Sequence, residues 1–357
     1  MSAQAAVRPE RRPADPVLRV QDLHVTYEAR TRRTKPVLAV DGVTFDIHPG
    51  EVLALVGESG CGKTSIARAV LRLLEPSSGT IEFEGQDITH LSRRALRPIR
   101  ERLQMVFQDP YESLDPRQSV FDLVAEPLAV HALAMSQQER RARVLEAMER
   151  AGLHPAEDIA RRYPHHLSGG QRQRVAIAAA MILEPALVVA DEPVSMLDVS
   201  LRAGILRLML DLRERRDLAY LFITHDLSLA WVVADRIAVV YLGRIVEIGP
   251  SADVIGDPRH PYTKALVSVI PVPESGAAAE QILLTGETPT ARHVPAGCRF
   301  RPRCWRYEQL GRPERCQRHD PGLDEGSHRA ACHYPVDPTD AGDQAEAQAA
   351  HPDKEEP

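Results

Sequence analysis

The sequence predicts a protein of the α/β class, built on a mixed, mainly parallel β-sheet with helices on both faces. Segments that read as strands and helices alternate from residue 17 to about residue 250, and this order is typical of parallel sheets covered by helices. The segment "GVTFDIHPG" and the run that ends in "YLGRIVEIG" have the pattern of antiparallel strands. The sheet is therefore expected to contain both kinds of pairing.

Hydrophobic spacing defines the individual elements. The run "EVLALV" (51–56) is typical of a buried strand, and "KTSIARAVLRLL" (63–74) follows with helical spacing and stops before Pro76. The segment "SQQERRARVLEAMERAG" (136–152) has the same helical spacing and ends at a glycine. The remaining strand-like runs are 80–85, 102–108, 186–193, 219–226 and 236–249.

Composition and charge argue against several classes of protein. The chain has 357 residues, of which 43% are apolar, which is enough for one large core or two smaller ones. A net charge of −6 and a pI of 6.2 argue against nucleic-acid binding, because that affinity depends on neutralising phosphates. The basic clusters at 29–35 and 92–103 are interpreted as solvated surfaces. No stretch of eighteen apolar residues occurs, so no transmembrane helix is predicted.

Changes in composition divide the chain into four parts. Residues 1–16 lack the apolar segment of a secretory signal and predict a disordered leader, which favours the cytosol as the compartment. Residues 17–256 contain the alternating strands and helices. A proline-rich extension with four cysteines follows at 257–335, and the acidic, low-complexity residues 336–357 predict a disordered tail.

The stretch "GESGCGKTS" has the spacing of a phosphate-binding P-loop and lies between a predicted strand and a predicted helix. Its glycines permit tight turns, and backbone N–H groups then converge on phosphate oxygens at the start of the helix. Lys63 supplies a positive charge, and the Thr64 hydroxyl suits Mg²⁺. An ordinary glycine-rich turn is the alternative that the complete match disfavours. The predicted nucleotide-binding residues are Gly57, Glu58, Ser59, Gly60, Cys61, Gly62, Lys63, Thr64 and Ser65.

Polar side chains end three of the predicted strands. Asp191 is expected to hold Mg²⁺, and Glu192 to orient or deprotonate a water that attacks the γ-phosphate. Two adjacent acids that merely solvate a strand end are the alternative reading. His225 is expected to contact the γ-phosphate, and Gln108 to reach both Mg²⁺ and the attacking water, because the carboxyl ends of strands converge on the nucleotide in such folds.

A second anion-binding helix start occurs at "LSGGQ", where a Ser-Gly-Gly turn opens a long apolar run. Alone, this turn would be read as an ordinary helix N-cap. The P-loop, "VFQDP", "LSGGQ", "VVADEPVSMLD" and "ITHD" occur, however, in the order found in the ATP-binding cassette (ABC) ATPases. Over residues 17 to about 250 the chain therefore resembles that family.

The resemblance implies an ABC-type P-loop NTPase with a mixed central sheet, an antiparallel β subdomain, an α-helical signature subdomain and a small cysteine-containing C-terminal extension. It implies that Ser168, Gly169, Gly170 and Gln171 contact the ATP of a second ATPase subunit, so that two ATP molecules close a dimer and hydrolysis releases it. Asp198 resembles the acid of the family's D-loop, and Tyr27 the aromatic residue that stacks on adenine.

Four longer stretches resemble the oligopeptide/dipeptide branch of the importers. They are "QDPYESLDPRQSV", "DEPVSMLDVS", "YLGRIVEIGPSADVIGDPRHPYTKAL" and the cysteine-bearing "GCRFRPRCW". These stretches are similar to those of the F-type ATPase subunit of such importers. That similarity implies a D-type ATPase partner, two permeases and an indirectly linked substrate-binding protein. It also implies a position on the cytoplasmic face of the membrane. The permease contact is expected between Gln108 and the signature, including residues 111–120. Some members of the branch carry nickel complexes, so peptide cargo is implied by resemblance alone.

Two other functions compete with a peptide importer. A soluble ABC ATPase of DNA repair or translation usually has two cassettes, long insertions or basic regions, and none of these is visible in this sequence. A scaffold that binds nucleotide without hydrolysing it is the second competitor, although all the hydrolytic residue types are present.

The extension contains four of the five cysteines, with 5 to 15 residues between successive ones. They are Cys298, Cys304, Cys316 and Cys332. Spacing without a CxxC pair is a weak metal signal. A [4Fe–4S] cluster, which some peptide-importer ATPases carry in this region, Zn²⁺ and reduced thiols all remain open. A segment with so little apolar periodicity often requires a metal for stability.

Overall fold

The computed structural model describes residues 15–28, 36–109, 114–131, 133–270, 281–286 and 290–337. Nearly all of the predicted leader 1–16 and tail 336–357, and residues 111–113 of the expected permease contact, lie outside these ranges. Within them, no helix is long and apolar enough to cross a lipid bilayer.

The strands and helices follow one another in an alternating order. The strands are β1 (Leu18–Tyr27), β2 (Val37–Ile47), β3 (Val52–Val56), β4 (Ser78–Phe83), β5 (Gln86–Asp87), β6 (Leu103–Val106), β7 (Leu187–Asp191), β8 (Ala219–Thr224), β9 (Arg236–Tyr241), β10 (Arg244–Pro250) and β11 (Arg329–Ala330). The helices are α1 (Lys63–Val70), α2 (Leu96–Arg102), α3 (Val120–Val130), α4 (Gln137–Arg150), α5 (Ala156–Ala160), α6 (Gly169–Met181), α7 (Val199–Arg216), α8 (Leu227–Val233), α9 (Ser251–Gly256), α10 (Pro261–Ser268), α11 (Trp305–Gln309) and α12 (Glu314–Arg318).

The described residues form two compact units. The first unit comprises those within 1–27, 40–54 and 64–223, and the second those within 28–39, 55–63 and 224–357. The P-loop and the cysteine-bearing extension thus both belong to the second unit, whereas the signature sequence belongs to the first.

The first unit contains the predicted antiparallel layer. Its strand order is β2-β1-β4-β5, and β1 pairs antiparallel with β4 in a register that places Leu18 opposite Phe83. Leu18, Val20 and Phe83 are buried, because one face of this sheet covers the core.

Parallel strands form the second sheet of the first unit. β6 pairs parallel with β7, which pairs parallel with β8. All five residues of β7 are buried, as the unbroken apolar run before Asp191 requires for a strand covered on both faces.

Helices α3, α4, α5 and α6 pack against one another in the same unit. Serine side chains cap three of them, because a serine oxygen accepts a hydrogen bond from a backbone N–H that has no partner within the helix. Ser119 caps α3, and Ser136 and Ser168 form capping boxes at the starts of α4 and α6. This group corresponds to the α-helical signature subdomain that the sequence predicts.

The second unit contains antiparallel strands and the cysteine-bearing extension. β10 pairs antiparallel with both β9 and β11. Leu242 and Gly243 have φ values of 44° and 77°, as the tight turn between β9 and β10 requires. Tyr241, Tyr262 and Phe300 form a buried aromatic group with ring centroids 4.8 to 5.4 Å apart.

The structure confirms the α/β class and the mixture of parallel and antiparallel strands. Most elements begin or end a few residues away from the predicted positions, and two of these differences have the same cause. α1 ends at Val70, and the chain then turns at Arg72, whose φ is 51°. β6 ends at Val106, before the polar Gln108. In both cases apolar residues continue past the end of the element, so hydrophobic spacing alone could not locate it.

Candidate functional site

The P-loop follows β3 and leads into α1, as predicted. A Cβ atom added to Gly57 would lie 2.2 Å from the carbonyl oxygen of Val240, so only glycine fits there. Gly62 has a φ of 109°, and a Cβ on it would lie 2.4 Å from the oxygen of Ala39. The close approach of neighbouring backbone therefore explains two of the three loop glycines.

The Lys63 side chain is buried inside this loop. Its Nζ donates to the carbonyl oxygens of Gly57 at 2.6 Å and Glu58 at 2.9 Å. Its Nζ is also 3.7 Å from Sγ of Cys61. Burial raises the pKa of the Cys61 thiol, and the positive charge of Lys63 opposes that rise. The ammonium thus lies at the centre of the loop, where it can serve as a point charge for phosphate oxygens.

Glu58, the second residue of the loop, contacts the C-terminal part of the chain. Its carboxylate accepts two hydrogen bonds from the guanidinium of Arg303, and its N–H donates to the hydroxyl of Tyr262. Sequence reasoning did not identify Tyr262 or Arg303 as residues of the site, because both lie more than 200 positions away from Glu58.

Tyr27 ends β1 and exposes about 38% of its surface. Its hydroxyl lies 3.1 Å from Oγ of Ser65 on α1. The structure therefore brings these two predicted nucleotide-binding residues together and leaves the ring of Tyr27 open to a planar partner. Thr64, next to Ser65, is exposed in the first turn of α1.

The two acids lie at the carboxyl end of β7. Asp191 is buried, and Glu192 follows it with a φ of 46°, a left-handed conformation that a residue with a Cβ rarely adopts. The Nε2 of Gln108 donates to Oε2 of Glu192 over 3.0 Å. Two residues placed 84 positions apart are thus in direct contact, as the convergence of strand ends predicts.

His225 follows β8 directly and is exposed. The next residue, Asp226, caps α8 by accepting from the N–H groups of Ser228 and Leu229. The cap fixes where the helix begins, so the position of His225 is set by the end of a buried strand and the start of a helix.

The signature sequence forms the N-terminus of α6. Oγ of Ser168 accepts from the N–H of Gln171 at 3.3 Å, and Oε1 of Gln171 accepts from the N–H of Ser168 at 3.1 Å. The predicted N-cap is therefore present. A serine hydroxyl that accepts one bond still has its own proton to donate, and the first N–H groups of a helix have no partner within it. This helix start can therefore bind an anion.

The predicted D-loop lies beside the signature sequence. Asp198 precedes α7 and is exposed, and a Cβ on Gly170 would lie 3.4 Å from Cδ1 of Leu201. Met196, Val199 and Leu201 expose 61%, 80% and 40% of their surface. An apolar surface of this kind, next to an anion-binding helix start, indicates a site for a protein partner.

The four cysteines of the extension lie near one another. The N–H of Cys298 donates to the carbonyl oxygen of Cys316 at 2.9 Å. Burial raises the pKa of Cys298 to about 11 and that of Cys304 and Cys332 to about 12. Electrostatic interactions with the other thiols add to the rise, and for Cys332 they involve all three of its companions.

Among the described residues, no group of three or more His, Cys, Asp or Glu side chains has an arrangement that could hold a metal ion. The four thiols are neighbours, but they do not converge on one point. A single metal ion needs short, directed bonds from converging ligands, so the described residues offer it no site.

Comparisons with known proteins agree with these features. The family model described as ABC transporter matches residues 40–195, and the model described as oligopeptide/dipeptide transporter, C-terminal region, matches residues 246–309. The oligopeptide transport ATP-binding protein AppF of Bacillus subtilis is 43% identical over 89% of this chain and 97% of its own length.

Two further similar proteins are matched over most of their own length. The dipeptide transport ATP-binding protein DppF of Haemophilus influenzae is 43% identical over 82% of this chain and 87% of its own length. A solved dimeric structure of the ATP-binding cassette MJ0796 with ADP and Pi is 30% identical. It covers 66% of this chain and 98% of that one, with a TM-score of 0.60.

Proposed function

Because the chain belongs to the oligopeptide/dipeptide branch of the ABC transporter ATP-binding proteins, we propose a specific division of work among its residues. The protein is an ATPase that energises a peptide importer, and it works as part of a dimer of ATPase subunits together with membrane permeases. ATP and Mg²⁺ are its nucleotide and metal.

The P-loop holds the phosphates of ATP. Backbone N–H groups at the start of α1 and the ammonium of Lys63 face phosphate oxygens, and the ring of Tyr27 stacks on adenine. The central position of Nζ within the loop and the exposed ring of Tyr27 support these roles.

The Mg²⁺ ligands are the Thr64 hydroxyl, the Gln108 amide oxygen and the Asp191 carboxylate. These are hard oxygen donors of the kind that Mg²⁺ prefers, and Asp191 is a buried carboxylate, which favours a cation beside it. When bound, Mg²⁺ neutralises negative charge that develops on the phosphates.

Glu192 orients the attacking water and accepts its proton. Gln108 holds the carboxylate of Glu192 through the 3.0 Å hydrogen bond, and His225 contacts the γ-phosphate. The left-handed backbone at Glu192 supports this role, since strained conformations are concentrated at functional sites.

The signature residues complete the ATP site of the other subunit. Ser168 donates its hydroxyl proton, and Gly169 and Gly170 their N–H groups, to a γ-phosphate that the other subunit's P-loop holds. Gln171 fixes the hydroxyl and Asp198 faces the partner. The exposed helix start beside exposed Met196, Val199 and Leu201 is the observation that carries this proposal.

Membership of the oligopeptide/dipeptide branch supports a finer assembly. The second ATPase is a D-type subunit, so the pair is a heterodimer, and a substrate-binding protein delivers cargo to the permeases. The chain is attached to the cytoplasmic face of the membrane through the permeases, which contact it between Gln108 and the signature sequence, including residues 111–120. Residues 17–256 form the ABC domain and 257–335 the extension.

The four thiols of the extension, Cys298, Cys304, Cys316 and Cys332, would hold a [4Fe–4S] cluster. The backbone hydrogen bond between Cys298 and Cys316 brings two of the cysteine-bearing segments together, and the scarcity of helix and strand in the described part of the extension supports a stabilising centre. When bound, the cluster supplies covalent cross-links among four separate parts of the extension.

Transport by the assembled complex tests the function. The chain is purified with its permeases and partner ATPase, placed in lipid vesicles with the binding protein, and assayed for uptake of labelled peptides. ATP-dependent uptake that Lys63→Ala abolishes is expected. Uptake of a nickel complex in place of peptides would contradict the proposed peptide cargo. Purification of the chain with DNA or ribosomes instead of permeases would contradict the transport role.

A further inference from the structure

The P-loop is anchored to the extension through Glu58. Nη1 of Arg303 donates to Oε2 of Glu58 at 2.7 Å, and Nη2 donates to Oε1 at 3.0 Å. The Arg303 side chain exposes only 6% of its surface and that of Glu58 27%. A paired, two-bond contact between a guanidinium and a carboxylate fixes both distance and orientation, and burial shields it from water.

A second contact holds the backbone of the same residue. The N–H of Glu58 donates to the hydroxyl of Tyr262 at 3.1 Å. Tyr262 is fully buried in the aromatic group that includes Tyr241 and Phe300. The first N–H after Gly57 therefore points toward a rigid protein acceptor, and both the side chain and the backbone of Glu58 are fixed from the C-terminal side.

The two anchors belong to connected segments. Arg303 ends a short 3₁₀ turn whose carbonyl at Arg301 accepts from the N–H of Cys304, a predicted cluster ligand. Nε1 of Trp305 donates to the oxygen of Pro261, which begins the helix that carries Tyr262. The cysteine-bearing turn and the helix α10 thus reach the P-loop together.

The charge of Glu58 gives the contact a consequence for nucleotide binding. A carboxylate within a phosphate-binding loop repels a triphosphate, and the guanidinium of Arg303 neutralises that negative charge. Removal of Arg303 alone would leave a half-buried acid without its main counter-ion. Removal of both the Arg303 and the Glu58 charge would leave no such acid.

We propose that Arg303 is a positioning residue of the ATP site: it acts through Glu58, holding the P-loop in the form that binds MgATP. The extension is thereby a structural part of the nucleotide site. This inference rests on the proposed role of the P-loop as the phosphate cradle, and its experiment separates the two.

The test measures binding of a non-hydrolysable ATP analogue with Mg²⁺ to the full chain, and steady-state kcat and KM of the assembled complex. Arg303→Gln is expected to raise the Kd and KM about 10-fold, with kcat at saturating ATP within about twofold of wild type. In a Glu58→Gln background the same substitution is expected to change the Kd less than about threefold, because the repulsive charge is absent.

Arg299→Gln is the matched control. Arg299 lies in the same segment, its side chain exposes 5% of its surface, and it pairs with Asp320 and the carbonyl of Leu242. The Kd of this variant should stay within about twofold of wild type. If Arg303→Gln does not fold, Arg303→Lys is used, which should give a smaller rise with the same dependence on Glu58, because lysine keeps the charge without the paired geometry.

Three results would overturn the inference: wild-type affinity in the Arg303 variant, an equal loss in Arg299→Gln, or an equal loss in both Glu58 backgrounds. Lys63→Ala distinguishes this failure from failure of the proposed function. If Lys63→Ala binds the analogue normally, the P-loop assignment itself fails. If Lys63→Ala loses binding and Arg303→Gln does not, only the positioning role fails.

Discussion

Gln108 and Glu192 are joined by a hydrogen bond of 3.0 Å between Nε2 and Oε2. Glu192 is held on a left-handed backbone, and its N–H donates to the oxygen of Ile223 at 2.9 Å. The side-chain amide of Gln108, which follows one strand, thus orients the carboxylate of Glu192. The backbone of Ile223, in another strand, holds the main chain of Glu192. This arrangement suits an acid that must present its oxygen atoms to water in one orientation.

Replacement of that acid should stop hydrolysis without preventing nucleotide binding. Glu192→Gln keeps the size of the side chain and removes its ability to accept a proton, so ATP turnover should fall by about 10²- to 10⁴-fold while ATP-bound dimers accumulate. Phosphate release and sedimentation measure the two effects. Glu184→Gln is the control, since Glu184 is exposed and has a similar φ of 56°. Normal turnover in Glu192→Gln would favour a nucleotide-binding scaffold.

Two substitutions separate stacking by Tyr27 from its contact with Ser65. Tyr27→Ala should raise the Kd for the ATP analogue about 10-fold, because stacking of an aromatic ring on a base contributes about 1–3 kcal/mol. Tyr27→Phe keeps the ring and loses only the hydroxyl group that lies 3.1 Å from Ser65, so its affinity should stay near wild type. Equal losses in the two variants would show that the hydroxyl contact, not stacking, is what matters.

The parts of the site that the sequence predicted are those encoded by contiguous residues. The P-loop, the strand before Asp191 and the cap at Ser168 each follow from a short pattern of glycines, apolar residues or capping side chains. The ABC class followed because several such patterns occur in one order. The comparisons then confirmed the class and the peptide branch.

The parts that could not be predicted are contacts across long sequence separations. The pair of Arg303 and Glu58 spans 245 positions, and neither residue has a local pattern that names its partner. The left-handed φ of Glu192 was equally hidden, because nothing in "ADEP" distinguishes it from an ordinary strand end. Tertiary packing decides both features, and local propensity carries little information about either.

Metal analysis tests the proposal for the four thiols. Protein purified without oxygen should contain about four iron atoms per chain and absorb visible light, because a cubane cluster carries four irons. Cys304→Ser should lose most of the iron, whereas Cys61→Ser, which alters the one cysteine outside the extension, should retain it. Stoichiometric zinc without iron would replace the cluster with a single ion, and absence of both would leave reduced thiols.

His260 should make the stability of the second unit depend on pH. The side chain is buried, and desolvation lowers its pKa to about 4. The negative charges of Glu247 and Asp320 act in the other direction and raise the pKa, but they do not offset the desolvation. The pKa of His260 is lower in the folded protein than its value of about 6.5 in the unfolded chain. The contribution of neutral His260 to the free energy of unfolding is therefore complete above about pH 6.5. It falls by about 3 kcal/mol as the pH is lowered to 4.

The control for His260 preserves its structural role. Its Nδ1 accepts from the N–H of Tyr262 at 3.1 Å, and an asparagine oxygen can accept the same bond. In unfolding experiments between pH 7 and pH 4, His260→Asn should therefore lose less stability than wild type. Parallel pH profiles for the two proteins would show that another group is responsible.

The central claim is that each ATP is held by the P-loop of one chain and the signature helix of another, and Ser168→Arg in the assembled complex tests it most directly. Arginine at this exposed cap should leave analogue binding by the chain's own P-loop unchanged and reduce ATP turnover at least about 100-fold. Ser136→Arg removes the serine of an equivalent, exposed capping box on α4 and should leave both quantities near wild type. Normal turnover with Ser168→Arg would contradict the claim.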